Sequence, residues 1–432
     1  MTTTTRLPVE RLLHTGPGGP TDPGLADHLA LHGPLVVPRR DDPVWAEALR
    51  VDVAASGLAG RGGGGFPAAA KWDAVLRTNR RPVVVVNAME GEPASAKDRA
   101  LLAWSPHLVL DGAELVAAAS GARAVLVCVA DDRDDSARAV LRAVAERTGH
   151  GSPTRFSVER PPARYVTGEE SALVSWIEGR EARPVLRVDK SVPLTVGRRP
   201  VLLHNAETLA QVALIARHGA AWFRSLGSPD APGTTLVTVS GAVATPGVVE
   251  VELGTPVDEV VRRCGPLGPM AGYLVGGYGG AWLAPDLGHT PLAPGPLSRV
   301  GATLGVGIVV ALPVGSCGIA ETARVARWMA GESAGQCGPC VFGLPAVAED
   351  LELLAAGRAD AEVLSRIEDR SRSIAGRGAC RHPDGVVRMV RTALGVFAAD
   401  AARHAAGDPC EGRHAPSLLP FPSAPAVSGG AS

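Results

Sequence analysis

The stretch "PVVVVNAMEGEP" (residues 82–93) decides the architecture. Its four consecutive valines, Val83–Val86, are too few for a helix and apolar at every position, as expected of a strand buried on both faces. The run opens into a polar loop carrying Asn87, Glu90, Glu92 and then Lys97. Upstream, "PVWAEALRVDVAASG" predicts a short helix. Downstream, "PHLVLDGAELVAAASG" predicts a helix, "ARAVLVCVAD" a second buried strand and "DDSARAVLRAVAERTG" another helix. This alternation implies an α/β fold with a parallel sheet and helices on its faces. Ligands of such sheets bind over the carboxyl ends of the strands, where the loops "NAMEGEP" and "GEES" would lie.

Past "LGSPDAPG" the texture changes. "TTLVTVSGAVATPGVVEVELGTP" reads as short strands broken by Gly and Pro, followed by a helix "VDEVVRRCG", a small β-rich unit ending near Pro313. From "GIAETARVARWMAGES" onward helical periodicity recurs at 318–331, 343–356, 359–373 and 383–405, a four-helix bundle around cysteine loops. The expected organisation is an N-terminal extension (1–47), an α/β domain (48–230), a β-rich domain (231–316), a helical bundle (317–408) and a disordered tail (409–432).

Composition narrows the class. Hydrophobic residues make up 46% and charged residues 20% of 432, and the net charge is −1, so nothing favours nucleic-acid binding. The N-terminal "MTTTTRLPVERLLHTGPGG" lacks the apolar core of a secretion signal, and seven cysteines are too few for a disulfide scaffold. A reducing, cytoplasmic setting is expected. The charge-free stretch 300–320 is long enough to span a membrane, but its glycines, proline and β-branched runs suit buried strands better.

Four segments carry candidate chemistry. "GLAGRGGGGFPAAAKW" (57–72) could converge backbone N–H groups on an anion, with Arg61 and Lys71 adding positive charge. It follows a predicted helix and has no G-K-[ST], so it is neither a dinucleotide fingerprint nor a P-loop. "NAMEGEPASAKDR" places polar groups at a strand end. "RYVTGEESALVSWIEG" sets Glu169 and Glu170 at a helix start, where the dipole favours carboxylates. "LLHNAETLAQVALIARHG" sets Asn205 and Thr208 at another. Alone, these are equally a surface loop, a solvated turn and two capped helices.

In order and together they resemble the NADH-binding flavoprotein subunit of respiratory complex I, also found in NAD-reducing hydrogenases and formate dehydrogenases. Gly60–Trp72 is similar to that family's G-R-G-G-x-G-F-P-x-x-x-K-W, and Asn87–Pro93 to N-A-D-E-x-E-P with Met89 in place of the acid. Tyr165–Leu173 is similar to Y-x-x-G-E-E-[TS]-A-L, and Asn205, Glu207 and Thr208 to N-x-E-T. The β-rich stretch resembles the ubiquitin-like β-grasp (SLBB) domain. "ESAGQCGPC" (332–340) resembles E-S-C-G-x-C-x-P-C at the head of the bundle.

The resemblance implies a Rossmann-like FMN-binding domain and hydride transfer from NADH to FMN, with no nucleophilic or acid–base side chain. Gly60, Arg61, Gly62, Gly63 and Lys71 would cradle phosphate, with Asn87 and Glu90 near the flavin ring. Tyr165, Gly168, Glu169 and Glu170 would line the FMN–NADH pocket, Glu170 on the NADH ribose, where a carboxylate disfavours NADPH. Phe66 would stack on adenine, and Asn205 and Thr208 would complete the FMN site. Met89 would alter the field at the flavin.

The family's [4Fe–4S] ligands correspond to Ala334, Cys337, Cys340 and Cys380, so one is lost. Three thiolates can hold an open-sided cluster, with His382 as a fourth ligand. The same four residues would also suit zinc, or the cysteines persist without metal. Cys128, Cys264, Cys317 and Cys410 read as buried or incidental, although Cys317 opens the bundle and could reach the site. The implied partner is a ferredoxin-like or thioredoxin-like [2Fe–2S] protein within a larger assembly, peripheral to the membrane through its partners, with ferredoxin or quinone as ultimate acceptor. Alternatives are a non-catalytic FMN- or nucleotide-binding relative and a zinc-stabilised interaction module.

Overall fold

The computed structural model describes residues 10–13, 23–37, 42–150, 152, 154–187, 189 and 192–422. The valine run forms β1 (Val83–Ala88) at the centre of a five-stranded sheet. Val84 and Val86 join the core on one face, and Val83 and Val85 join a second cluster on the other. Two-sided burial is why every position is apolar. Around β1 stand α1 (Leu25–His32), α2 (Pro43–Ser56), α3 (Ala68–Leu76), α4 (Lys97–Trp104), α5 (Pro106–Ala119), β2 (Ala124–Val129), α6 (Asp134–Gly149) and β3 (Arg155–Glu159). Then follow α7 (Glu170–Ile177), β4 (Thr195–Val196), β5 (Arg199–Asn205) and α8 (Ala206–Phe223), the last broken at Gly219. Helix α2 starts as its sequence dictates: Asp42 accepts the Val44 and Trp45 N–H groups at 3.1 Å and Pro43 occupies the first turn.

The strand order is β3-β2-β1-β5-β4, with β1 parallel to both β2 and β5. Successive crossovers move outward from β1 through β2 to β3, then return to place β5 on its other side. The topological switch point therefore lies between β1 and β5.

A pair of two-residue strands, β6 (Gly227–Ser228) and β7 (Ala231–Pro232), leads into a second sheet. It comprises β8 (Thr234–Gly241), β9 (Gly247–Glu252), β10 (Met270–Val275), β11 (Ala281–Leu283) and β12 (Ile308–Pro313), with α9 (Val257–Arg263) and α10 (Pro294–Arg299). Its order, β11-β10-β12-β8-β9, combines a parallel β8–β12 pair with antiparallel neighbours. The charge-free stretch at 300–320 thus holds β12, and among the described residues no helix is long and apolar enough to cross a membrane. The helical part comprises α11 (Gly318–Gly331), α12 (Leu344–Ala355), α13 (Val363–Ile374), α14 (His382–Val396) and α15 (Ala398–Ala405), so the last expected helix is two.

The three parts are stitched together. Glu207 of α8 accepts the Leu236 N–H and the Thr235 hydroxyl of β8, both at 3.0 Å. Ala96 N–H donates to Thr238 Oγ1 at 3.0 Å, and Trp282 N–H of β11 donates to Thr392 of α14 at 3.0 Å.

Two expectations are corrected at the chain ends. Leu12, in the stretch read only as an extension, is fully buried, and Glu250 of β9 accepts its N–H and that of Arg11 at 2.8 Å. The tail expected to be disordered from 409 packs against the rest of the chain as far as 422. Leu419 is buried there, Phe421 packs on Tyr278, and the Tyr278 hydroxyl donates to the Pro420 carbonyl. Residues 423–432 lie outside the described ones.

Candidate functional site

At the switch point Asn87 and Asn205 end β1 and β5 side by side in register. The Asn205 amide donates to Asn87 O at 3.1 Å and to Asp98 Oδ2 at 2.7 Å. Its oxygen accepts from Lys97 Nζ at 3.0 Å and from the Glu207 N–H at 3.1 Å, which caps α8. The Asn87 amide donates to Gly168 O at 2.9 Å. Both amides are therefore fixed in orientation. Lys97 is 2% exposed and pairs with Asp98 at 2.7 Å and Glu207 at 3.2 Å. Burial alone would lower its pKa, but the two carboxylates outweigh burial and keep it charged.

The glycine loop is docked on this crevice. Arg61 N–H donates to Thr208 Oγ1 at 2.9 Å, and a Cβ on Gly62 would meet Asn205 Cβ at 3.3 Å. Gly63 and Gly65 have φ of 95° and 61°, which side chains resist. Gly62–Gly65 are exposed, and their N–H groups donate to no other group among the described residues. Partnerless N–H groups in a loop that glycine alone can trace fit a phosphate-bearing cofactor. Lys71 sits nearby, donating to Leu203 O at 3.0 Å and to Glu170 at 3.1 Å. Phe66 is 56% exposed. One expectation fails: Arg61 does not lend its charge to the loop. Its guanidinium is buried, donates to Thr234 O at 3.0 Å and lies 3.8 Å from Glu207, so it joins α8 to the second sheet instead.

The remaining residues divide sharply. Glu90 adopts φ 43°, and its buried carboxylate accepts from Ser95, the Asp98 N–H and Arg99 at 2.9–3.0 Å. That arrangement closes the amino end of α4. Burial, aided by Asp98, raises its pKa. A Cβ on Gly91 would meet Arg164 O at 2.9 Å, so the loop presses directly on the segment bearing Tyr165. Met89 does not sit in a polar field. It is 1% exposed, clustered with Val85, Cys128 and Leu173, where a carboxylate would be costly. Glu169 caps α7, accepting the Ser171 and Ala172 N–H groups at 2.9 and 3.0 Å. Glu170 remains half-exposed beside Lys71.

Sequence reasoning placed Glu92 in the polar strand-end loop but gave it no role. It accepts the Tyr278 N–H at 3.1 Å and bonds the Tyr165 hydroxyl. Burial pushes its carboxyl up to about 8 against both bonds. Tyr165 also donates its N–H to Glu332 at 2.9 Å, and its ring meets Trp328 and His382 edge-on at 5.7 and 5.3 Å. One residue thus touches both the strand-end loop and the cysteine region.

There, Cys340 is buried and interacts with Cys337, Cys380 lies close enough to influence both, and burial raises the Cys340 thiol to about 12. His382 Nε2 lies 2.8 Å from Met329 O, which can only accept, so the proton is on Nε2. Its buried Nδ1 keeps a lone pair without a partner. Three thiols and an orphaned imidazole nitrogen fit a cluster with one non-cysteine ligand. A single zinc ion holds ligand atoms about 3.6 Å apart, and these four are not gathered that closely.

A doubly wound sheet with an anion-binding loop at its switch point, beside a cysteine-bearing helical bundle, defines a redox protein of the flavin and iron–sulfur class. Comparison with known proteins agrees. Residues 53–214 match the Nuo51 FMN-binding domain, 236–272 the SLBB domain, and 320–404 the NADH-ubiquinone oxidoreductase-F iron-sulfur binding region. An NADH-quinone oxidoreductase subunit of Rhizobium meliloti is 31% identical over 365 residues, covering 81% of this chain and 86% of that one. The mitochondrial NADH dehydrogenase [ubiquinone] flavoprotein 1 of Dictyostelium discoideum is also 31% identical, covering 80% and 76%. The crystal structure of an NAD+-reducing [NiFe]-hydrogenase in the air-oxidized state aligns with a TM-score of 0.78 at 31% identity, covering 90% of this chain and 67% of that one. The chain belongs to the family of NADH-dehydrogenase flavoprotein subunits.

Proposed function

We propose that this family member oxidises NADH with FMN held at the β1–β5 crevice and delivers the electrons to a separate [2Fe–2S] carrier. The carrying observation is the in-register pair Asn87–Asn205, roofed by a loop whose Gly62–Gly65 N–H groups lack partners among the described residues. Bound FMN would supply a two-electron acceptor for the nicotinamide hydride. The chain's own contribution is binding and orientation. The Gly62–Gly65 N–H groups with Lys71 take the phosphate, while Gly60 and Arg61 anchor the loop through their N–H bonds to Phe66 O and Thr208 Oγ1. Asn87 and Gly168 lie on the ring side, Asn205 and Thr208 complete the FMN site from beneath, Thr208 by holding the glycine loop, and Glu90 shapes the strand-end loop. Tyr165, Glu169 and Glu170 border the nicotinamide side, and Phe66 is free to cover adenine. No residue need act as acid, base or nucleophile.

Cys337, Cys340, Cys380 and His382 would hold the cluster that supplies one-electron chemistry. Exposed Val341 and Phe342 beside Cys340 support docking of the carrier at that end. A larger assembly of soluble subunits, peripheral to a membrane through its partners or free in the cytoplasm, suits this reading. The non-catalytic alternative rests on Ala334, which removes one cluster ligand.

Anaerobic purification followed by flavin, iron and zinc analysis, then titration with NADH and NADPH, tests the proposal. Stoichiometric FMN bleached by NADH is expected, and Glu170→Gln should raise the relative use of NADPH. A folded protein that binds no FMN overturns it.

A further inference from the structure

A second set of metal-binding side chains lies apart from Cys337, Cys340 and Cys380. Cys317 begins α11, His404 lies on α15, and Cys410 follows six residues later. Cys317 and His404 are 1% and 0% exposed. His404 Nε2 is 3.8 Å from Cys317 Sγ and 3.3 Å from Cys410 Sγ, and the three ligand atoms all lie within 4.8 Å of one another. Tetrahedral zinc, with Zn–S about 2.3 Å and Zn–N about 2.0–2.1 Å, places sulfur and nitrogen about 3.6 Å apart and two sulfurs about 3.8 Å apart. The observed spacings straddle that value.

The imidazole is also oriented as a ligand. His404 Nδ1 lies 3.2 Å from Leu354 O, so Nδ1 carries the proton and the Nε2 lone pair faces the sulfurs. Metal-bound histidines characteristically donate their other N–H to a carbonyl in this way. Without metal, that lone pair accepts the Cys410 N–H at 3.1 Å, a bond that coordination would replace. Two thiolates and a neutral imidazole form a soft ligand set of zinc type. When zinc binds, both thiol protons leave to solvent and the site is electrically neutral, which lets it be buried without counter-charges.

We propose that Cys317, His404 and Cys410 bind one zinc ion, with water as fourth ligand, and that the ion fastens the segment from 409 to 422 onto the helical bundle. The ion would add to the ties of Arg324 to the Arg413 and Ala415 carbonyls at 3.2 and 3.0 Å, of Glu321 to the Ser417 hydroxyl and Leu418 N–H at 2.8 and 3.2 Å, and of the Tyr278 hydroxyl to Pro420 O. The site is independent of the iron–sulfur cysteines and of flavin binding.

The test uses the full chain, purified anaerobically with reductant, with zinc and iron measured by mass spectrometry. One zinc per chain is expected in the natural protein. It should persist when Cys337→Ser, Cys340→Ser and Cys380→Ser are combined, and be lost in Cys410→Ser and in His404→Gln. Should those two variants fail to fold, cobalt(II) loaded into the combined variant decides. Thiolate-to-cobalt charge transfer with intense tetrahedral d–d bands supports the site, and their absence overturns it. Folded natural protein that takes up no zinc, zinc that follows Cys337, Cys340 and Cys380, or a Cys317–Cys410 disulfide in the reduced preparation each overturns the proposal.

Discussion

Replacing Glu92 with Gln should remove a pH-dependent loss of stability. The carboxyl sits in a buried pocket with the Tyr278 N–H and the Tyr165 hydroxyl as donors, and burial raises it from 4.5 to about 8. Below the lower value both folded and unfolded chains hold the proton, and Glu92 has no pH-dependent effect. Between the two, the unfolded chain ionises while the folded one stays protonated, so stability falls as pH rises. Above about 8 both are ionised and the loss is complete. At 1.36 kcal/mol per pH unit, the full effect is about 5 kcal/mol. Gln offers a carbonyl oxygen to the same two donors and never ionises. Glu250, raised by burial to about 7, acts in the same direction but is present in both proteins and cancels. Urea unfolding of both proteins at pH 5 and pH 9, followed by circular dichroism, gives the double difference. E92Q should gain on the natural protein by several kcal/mol between the two pH values. A difference that is the same at both would falsify the assignment of a buried, proton-holding Glu92.

Three other perturbations have defined outcomes. Lys97→Met leaves buried Asp98 without its cation and Glu207 with only the more distant Arg61, and should lose about 3–5 kcal/mol in urea unfolding together with flavin retention, since Lys97 also positions Asn205. Gly112→Ala brings a Cβ to 1.9 Å from Leu209 O where α5 crosses α8, so it should lower stability by about 3 kcal/mol or more, visible as a fall in melting temperature. Ala334→Cys restores a fourth thiolate and should raise iron content and slow cluster loss in air; unchanged iron and an unchanged spectrum would remove the cluster assignment.

Much of the first sheet was legible because β1 and β2 are continuous apolar runs and the helices around them have the right period. The strand-end loops were legible as a set because their glycines and carboxylates recur in a fixed order. What each side chain does was less so. Arg61 looked like a phosphate ligand, yet α8 and β8 meet beneath the loop and claim its guanidinium. Glu90 looked like a flavin neighbour, but the nearest unsatisfied donors belong to α4. Glu92 was legible only as a polar loop residue, since only the fold brings Tyr278 to it from 186 residues away. Cys317 and Cys410 read as incidental for the same reason; the one local hint was the His404-x5-Cys410 spacing next to the tail.

The bonds that stitch the three parts bear on how the chain comes apart. Glu207 holds β8, Thr238 holds Ala96, Glu92 holds Tyr278, Thr392 holds Trp282, and Glu332 holds Tyr165. These ties join residues far apart in the chain, so one part cannot let go of another without losing bonds from both. The parts should therefore unfold together, and calorimetry should record one transition in place of three. A protease should likewise find no stable flavin-binding fragment to release.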